Sequence, residues 1–233
     1  QLTMFALQRD RRQAAPDDFP QQLAELLAYL EDDLPEDHPF RHLARTLPGR
    51  SELPVPWLLG SSAQSGEWAA ELGLRYAFAD FINNQGAPIA HAYQSAFRPI
   101  RDLQAPYTAV GIWVLCAPTD EEAAFLATSS RMAFTMLRRG QLIPVPSPEK
   151  ASAWLEREGR TLTPSGRGGR RTIVGSPETV RAAIEEVAAE YRADELIVVT
   201  ITHDHEARLR SYELLAEALG LTRRDPARAP AAA

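Results

Sequence analysis

Cysteine is almost missing from this chain. Its 233 residues include one, Cys116, which excludes an intrachain disulfide framework and fits a reducing compartment, so a cytoplasmic location is expected. A thiol at the end of the apolar run YTAVGIWVLCA reads as buried and inert. No apolar stretch approaches the roughly 18 residues that a spanning helix needs, and no membrane partner is expected. Positive charge is not in excess: 25 Lys and Arg against 31 Asp and Glu give a net charge of −6. That balance argues against nucleic acid as a partner. No GxGxxG follows any strand-like run, which removes the main support for a dinucleotide-binding fold. Metal-ligand spacing is lacking as well. His203, Asp204, His205 and Glu206 are adjacent, but His at i and i+2 diverge at a helix start, unlike an i, i+4 pair. Asp204 reads as an N-cap, and His203 as a wall residue at the end of a strand. His38 and His42 lie among Pro and charge with no partner at fixed spacing, and read as satisfied or solvated. No metal is assigned.

What is present is a rhythm. At 45% hydrophobic and 24% charged residues, the composition suits one globular domain with a sizeable core, read here as 1–223 with a disordered tail at 224–233. QQLAELLAYLEDDL repeats Leu at helical spacing. From residue 55 onward, strands and helices alternate. Strand-like runs lie at 55–60, 75–82, 107–117 and 195–201, and helical patterns at 66–73, 87–100, 120–139, 176–193 and 204–220. Strands separated by such helices form right-handed βαβ units and a parallel sheet. Their near-continuous apolar character fits burial on both faces. Residues 141–172, rich in Pro, Gly and Arg, interrupt the rhythm as a lid-like excursion or a plain linker. Within it SPEKASAWLERE predicts a helix capped by Ser147 with Pro148 at its first position. The opening QLTMFALQRDRRQ reads as the middle of an element, so a longer N-terminus is expected.

The chemistry concentrates in PVPWLLGSSAQSGEWAAELGL, residues 54–74, where a strand passes into a helix. Strand-to-helix turns at the C-terminal end of a parallel sheet are where α/β enzymes hold ligands. A helix N-terminus offers free N–H groups and positive dipole charge, and so receives phosphate. Ser61, Ser62 and Ser65 add hydroxyls there, and Gly60 lets the backbone come close. Serine is also an ordinary N-cap, and on local chemistry both readings stand. In VGSPETV, Glu178 would repel a phosphate, so Ser176 reads as a cap alone.

PWLLGSSAQSGEWAAELGLRYAFADFI, YTAVGIWVLCAPTDEEA, VGSPETV and THDHEARLRSYELLAEALG, in this order and spacing, resemble the bacterial luciferase-like flavin-dependent monooxygenases. The resemblance implies an α/β fold, a (β/α)8 barrel of which this chain would carry strands five to eight. It implies reduced FMN bound at the barrel's C-terminal mouth, with phosphate contacts from Gly60, Ser61, Ser62 and Ser65 and with Asp80 near the flavin ring. It further implies O2 and a small organic substrate, a separate flavin reductase and a homo-oligomer. Relatives of this fold use F420 for hydride transfer, and a non-catalytic flavin-binding partial barrel is the remaining alternative. The family's catalytic residues fall on no position here, and the excursion at 141–172 corresponds to its mobile active-site loop.

Overall fold

The structure, a computed structural model, describes residues 18–44, 53–100, 103–159 and 172–221. The opening QLTMFALQRDRRQ, the tail at 224–233 and three arginines of the excursion, Arg167, Arg170 and Arg171, lie outside the described residues. The chain divides into two units, Gln1–Pro56 and Trp57–Ala233. In the first, helix α1 (Phe19–Glu31) starts with Pro at its first turn and ends on Asp32 in the left-handed region; a short helix α2 (Arg41–Ala44) follows. His38 is satisfied locally, 3.4 Å from Glu25 and accepting the N–H of Phe40 at Nδ1.

The second unit is a parallel sheet wrapped on one face by helices. Its elements are β1 (Trp57–Gly60), α3 (Ala63–Glu71), β2 (Arg75–Ala79), α4 (Ala87–Ala96), β3 (Thr108–Cys116), α5 (Asp120–Leu126), α6 (Thr128–Arg138), α7 (Pro148–Arg157), β4 (Thr172–Gly175), α8 (Pro177–Tyr191), β5 (Glu195–Val199) and α9 (His205–Ala218). Every pairing is parallel: β1 with β2, β2 with β3, and β3 with both β4 and β5. Tyr76 N donates to Tyr107 O (3.0 Å) and Ala117 N to Gly175 O (3.2 Å). Tyr107 and Ala117, which flank β3, are an even number apart, and alternate residues of an extended chain present their polar groups to one edge. So β4 succeeds β2 along the same edge of β3, while β5 holds the other, where Asp194 N bonds Thr108 O (2.9 Å).

Register divides the side chains between two faces. Leu58, Tyr76, Phe78, Val110, Ile112 and Val114 point to the helices and are buried. There Tyr76 packs on Tyr93 of α4 at 5.2 Å and Phe78 on Tyr191 of α8 at 5.7 Å. Each such burial contributes about 1.5–3 kcal/mol. Burial pushes the Tyr93 phenol up to about 12, and its hydroxyl donates to Leu74 O at 2.8 Å. The opposite face is different. Trp57, Leu59, Ile197 and Val199 stand 37%, 64%, 45% and 40% exposed, although parallel strands of this composition usually bury both faces. At one end of it Arg75 lies over the rings of Trp57 (5.6 Å) and Tyr107 (5.3 Å), and Tyr107 donates to Glu195.

Two expectations are corrected here. The single helix read at 120–139 is two, because Thr128 Oγ1 donates to Phe125 O (2.6 Å) and to Pro148 O (3.2 Å), competing with the helix backbone at the joint. The sheet also has a strand not foreseen, β4, whose four residues TIVG are too short to show a period. The helix read in the excursion is α7, with Ser147 accepting Lys150 N as expected; the rest of the excursion, 160–171, is outside the described residues.

Candidate active site

At the C-terminal end of the sheet, β1 passes into α3 through Gly60, Ser61 and Ser62. Ser62 is the N-cap, in extended conformation, and its Oγ accepts Ser65 N at 3.4 Å. The N–H groups of Ala63 and Gln64 have no partner among the described residues and face out of the helix start. The first turn holds no acidic residue, whereas α5, α7, α8 and α9 each carry at least one there. Ser62 is exposed and Ser61 half-buried, its carbonyl held by Asn83 Nδ2 at 3.0 Å.

Ser65 takes a different part. It is buried, donates to Ser62 O at 2.7 Å, and lies 2.9 Å from the Tyr76 hydroxyl. Burial raises the Tyr76 pKa, with the Ser65 hydrogen bond opposing, so this phenol is a neutral donor at working pH. Gly60 is required by the same contact: a Cβ there would come 2.1 Å from Ser65 Oγ and 2.3 Å from its Cβ. The structure therefore brings Gly60, Ser61, Ser62 and Ser65 together, with Ser61 and Ser62 at the open end and Ser65 shaping the turn from below.

Asp80, just past β2, is fully buried. Its Oδ1 accepts the Tyr191 hydroxyl at 2.7 Å, and Tyr191 in turn accepts Gly86 N at 3.2 Å. That chain ties β2, α4 and α8 together and turns the carboxylate to the helix layer. On the other face Phe81 stacks on Trp113 (5.4 Å) and Trp113 on Phe134 of α6 (4.3 Å). Gly111 leaves room for Phe81, which a Cβ would approach to 3.1 Å. Trp113, Leu115, Ser130, Phe134, Thr172 and Ile201 line a narrow cleft there. Trp113 and Phe134 were not singled out from the sequence, since one Trp in a continuously apolar strand has no period to reveal its face.

The second turn differs from its reading. Ser176 occupies the N-cap of α8 but makes no side-chain cap bond. Asp120 of α5 does the capping, accepting Ser176 N at 2.6 Å and the Thr179 hydroxyl at 3.2 Å. These hydrogen bonds, Ser176 N–H first, hold the Asp120 pKa below its ordinary value. Asp204 caps α9 as read, accepting Ala207 N at 2.8 Å, and His203 is exposed with Nδ1 2.8 Å from Val145 O. Cys116 is buried, and burial pushes its thiol up to about 11, so it is a poor nucleophile.

A parallel sheet carrying helices on one face, with a serine-rich helix start and an aromatic cleft at its C-terminal end, places the chain in the α/β class. No family model matches the chain. It is 36% identical over 220 residues to a luciferase-like monooxygenase of Escherichia coli, covering 92% of this chain and 62% of that one. It is 39% identical over 208 residues to the uncharacterized protein YwcH of Bacillus subtilis (87% and 61%). The N-acetyl-S-alkylcysteine monooxygenase of the same organism is 28% identical over 221 residues (94% and 65%). Among solved structures, apo-MsnO8 superposes with a TM-score of 0.82 at 36% identity, covering 96% of this chain and 66% of that one. The long-chain alkane monooxygenase LadA shares the fold, at a TM-score of 0.53 and 13% identity. The chain belongs to the luciferase-like monooxygenase family. It spans about three fifths of the length of the curated relatives it matches. No helix among the described residues is long and apolar enough to cross a membrane.

Proposed function

We propose that this chain is the C-terminal part, strands five to eight, of a luciferase-like (β/α)8 barrel that acts as a flavin-dependent monooxygenase. β1, β2, β3 and β5 would be those strands, with β4 an addition beside β3. The exposed apolar face of Trp57, Leu59, Ile197 and Val199 supports this, because four further strands closing the barrel would cover it. Reduced FMN would supply the electrons and the oxygen-activating chemistry, and a small organic substrate would take one atom of O2. A separate reductase would deliver the flavin, and the enzyme would work in the cytoplasm as a homo-oligomer.

The observation that carries the reading is the β1–α3 turn. Outward N–H groups at Ala63 and Gln64, the hydroxyls of Ser61 and Ser62, an acid-free first turn and a backbone that tolerates no Cβ at Gly60 together fit a phosphate. This chain's part is to hold that phosphate and orient the ring system toward the cleft at Trp113. The Asp80 carboxylate would act one layer out, fixing the end of β2 through Tyr191.

The test is an anaerobic titration of the full-length protein with reduced FMN and, separately, reduced F420, followed by mixing with air. Tight FMN binding, with oxygen uptake that yields an oxygenated product when substrate is supplied, is expected. Binding of F420 alone would move the assignment to an F420-dependent oxidoreductase. FMN binding without turnover of any substrate would favour the non-catalytic partial barrel.

A further inference from the structure

The loop between β2 and α4 reaches back to the serine turn through one side chain. Asn83 Nδ2 donates to Ser61 O at 3.0 Å, while its Oδ1 accepts Gln85 N at 3.1 Å. One end of the amide is thus a donor and the other an acceptor, which fixes the way the group faces. The loop that carries it is held in turn. Asn83 N donates to Ala79 O at 3.2 Å, and Gly86 N donates to the Tyr191 hydroxyl, which itself donates to the buried Asp80. Ser61 O is pinned in this way to the end of β2 and, through the loop, to α8.

The Ser61–Ser62 peptide is trans, and in a trans peptide the C=O and N–H point in opposite directions. Holding Ser61 O toward Asn83 turns Ser62 N–H away from it, and no described residue accepts that N–H. In a capping box, a Glu or Gln at the third helical position reaches back to this same group. Here that position is Ser65, whose Oγ donates to Ser62 O and lies against the Tyr76 hydroxyl. Ser62 N–H therefore stays open beside those of Ala63 and Gln64.

We propose that Asn83 is a positioning residue for the flavin phosphate: by holding the Ser61 carbonyl, it presents Ser62 N–H to the phosphate as a third backbone donor. This rests on the reading of the β1–α3 turn given above. Without the Asn83 bond the Ser61–Ser62 peptide is free to rotate, and a rotated peptide would offer an anion a carbonyl oxygen in place of an N–H. Asp80 then serves the same site at a distance, since Tyr191 and Gly86 anchor the loop that carries Asn83.

The full-length protein and its variants are titrated anaerobically with reduced FMN and with reduced riboflavin, which lacks the phosphate. The wild type is expected to bind FMN at least about tenfold more tightly than riboflavin. Asn83→Ala should reduce that preference by about threefold to tenfold, the worth of one hydrogen bond, with riboflavin affinity unchanged. Asn83→Asp keeps an acceptor for Gln85 N–H but sets a carboxylate oxygen against Ser61 O, and should reduce the preference further. Either variant keeping the full preference overturns the proposal. So does an equal loss of FMN and riboflavin affinity, which would make Asn83 a structural staple only. On the isotope-labelled wild type, FMN is expected to shift the Ser62 amide signal together with those of Ala63 and Gln64, and riboflavin to shift none of them. Shifts at Ala63 and Gln64 without one at Ser62 overturn the proposal whatever the variants' folding. Equal affinity of the wild type for FMN and riboflavin would remove the phosphate site itself and the proposal with it, a result distinct from a preference that persists without Asn83.

Discussion

Ser62 and Ser65 stand three residues apart in one turn and do unlike work. Ser62 is exposed at the helix start and caps it, so Ser62→Ala should weaken FMN binding by at least about tenfold, roughly 1.4 kcal/mol, and cost about 1 kcal/mol of stability through the lost cap. Ser65 is buried on Tyr76, so Ser65→Ala should cost about 1 kcal/mol of stability and affect flavin only through the shape of the turn. Equal effects of both on flavin affinity would show that the hydroxyls act as a pair. Gly60 gives a sharper test. Gly60→Ala forces a Cβ into Ser65 and should lower the melting temperature by several degrees, whereas Gly60→Ala with Ser65→Gly should recover most of the loss. At the far end of β2, Tyr191→Phe removes both the donor to Asp80 and the acceptor for Gly86 N–H. Chemical denaturation should show a loss of about 1–3 kcal/mol.

Among the elements, the joint between α5 and α8 is held by one carboxylate. Asp120 accepts hydrogen bonds from Ser176 and Thr179, and its pKa is lowered from the model-compound value of 3.8. A carboxyl depressed in the folded state stabilises above its unfolded pKa, and that contribution fades as pH falls through the folded value. Asp120→Asn should therefore melt below the wild type at pH 7, by a gap that stays constant down to about pH 5 and closes at lower pH. A gap independent of pH down to pH 2 would mean that shape, not charge, makes the cap. This contact also marks what the sequence could and could not say. The helices and most strands were legible because Leu23, Leu26, Leu27 and Leu30, or the run from Thr108 to Cys116, carry a period or an unbroken apolar stretch. The caps at Ser147 and Asp204 were legible because they bond within three residues. Asp120 was not, since its partner lies 56 residues away. The aromatic stack was hidden for the same reason: Phe81, Trp113 and Phe134 come from separate segments that only the register of β2 on β3 and the bend at Thr128 bring together.

For the whole molecule, the uncovered sheet face dominates. Trp57, Leu59, Ile197 and Val199 form apolar surface between two open strand edges, β1 and β5, which invites association. The 233-residue chain produced by itself should bind a hydrophobic dye such as ANS and sediment as more than a monomer. Leu59→Lys with Ile197→Lys should reduce both signals. A monomer that binds no dye would mean that another part of the chain covers this face in solution.

The unequal lengths of the strands also shape the approach to the site. β3 continues five residues past its last pairing with β2, at Gly111, and β4 accompanies it there, a rise of roughly 16 Å. The C-terminal end of the sheet is therefore stepped, high at β3–β4 and low at the serine turn. Along the strands Trp113 therefore stands three residues, roughly 10 Å, beyond the level of Gly60, so the aromatic stack and the serine turn lie at different heights.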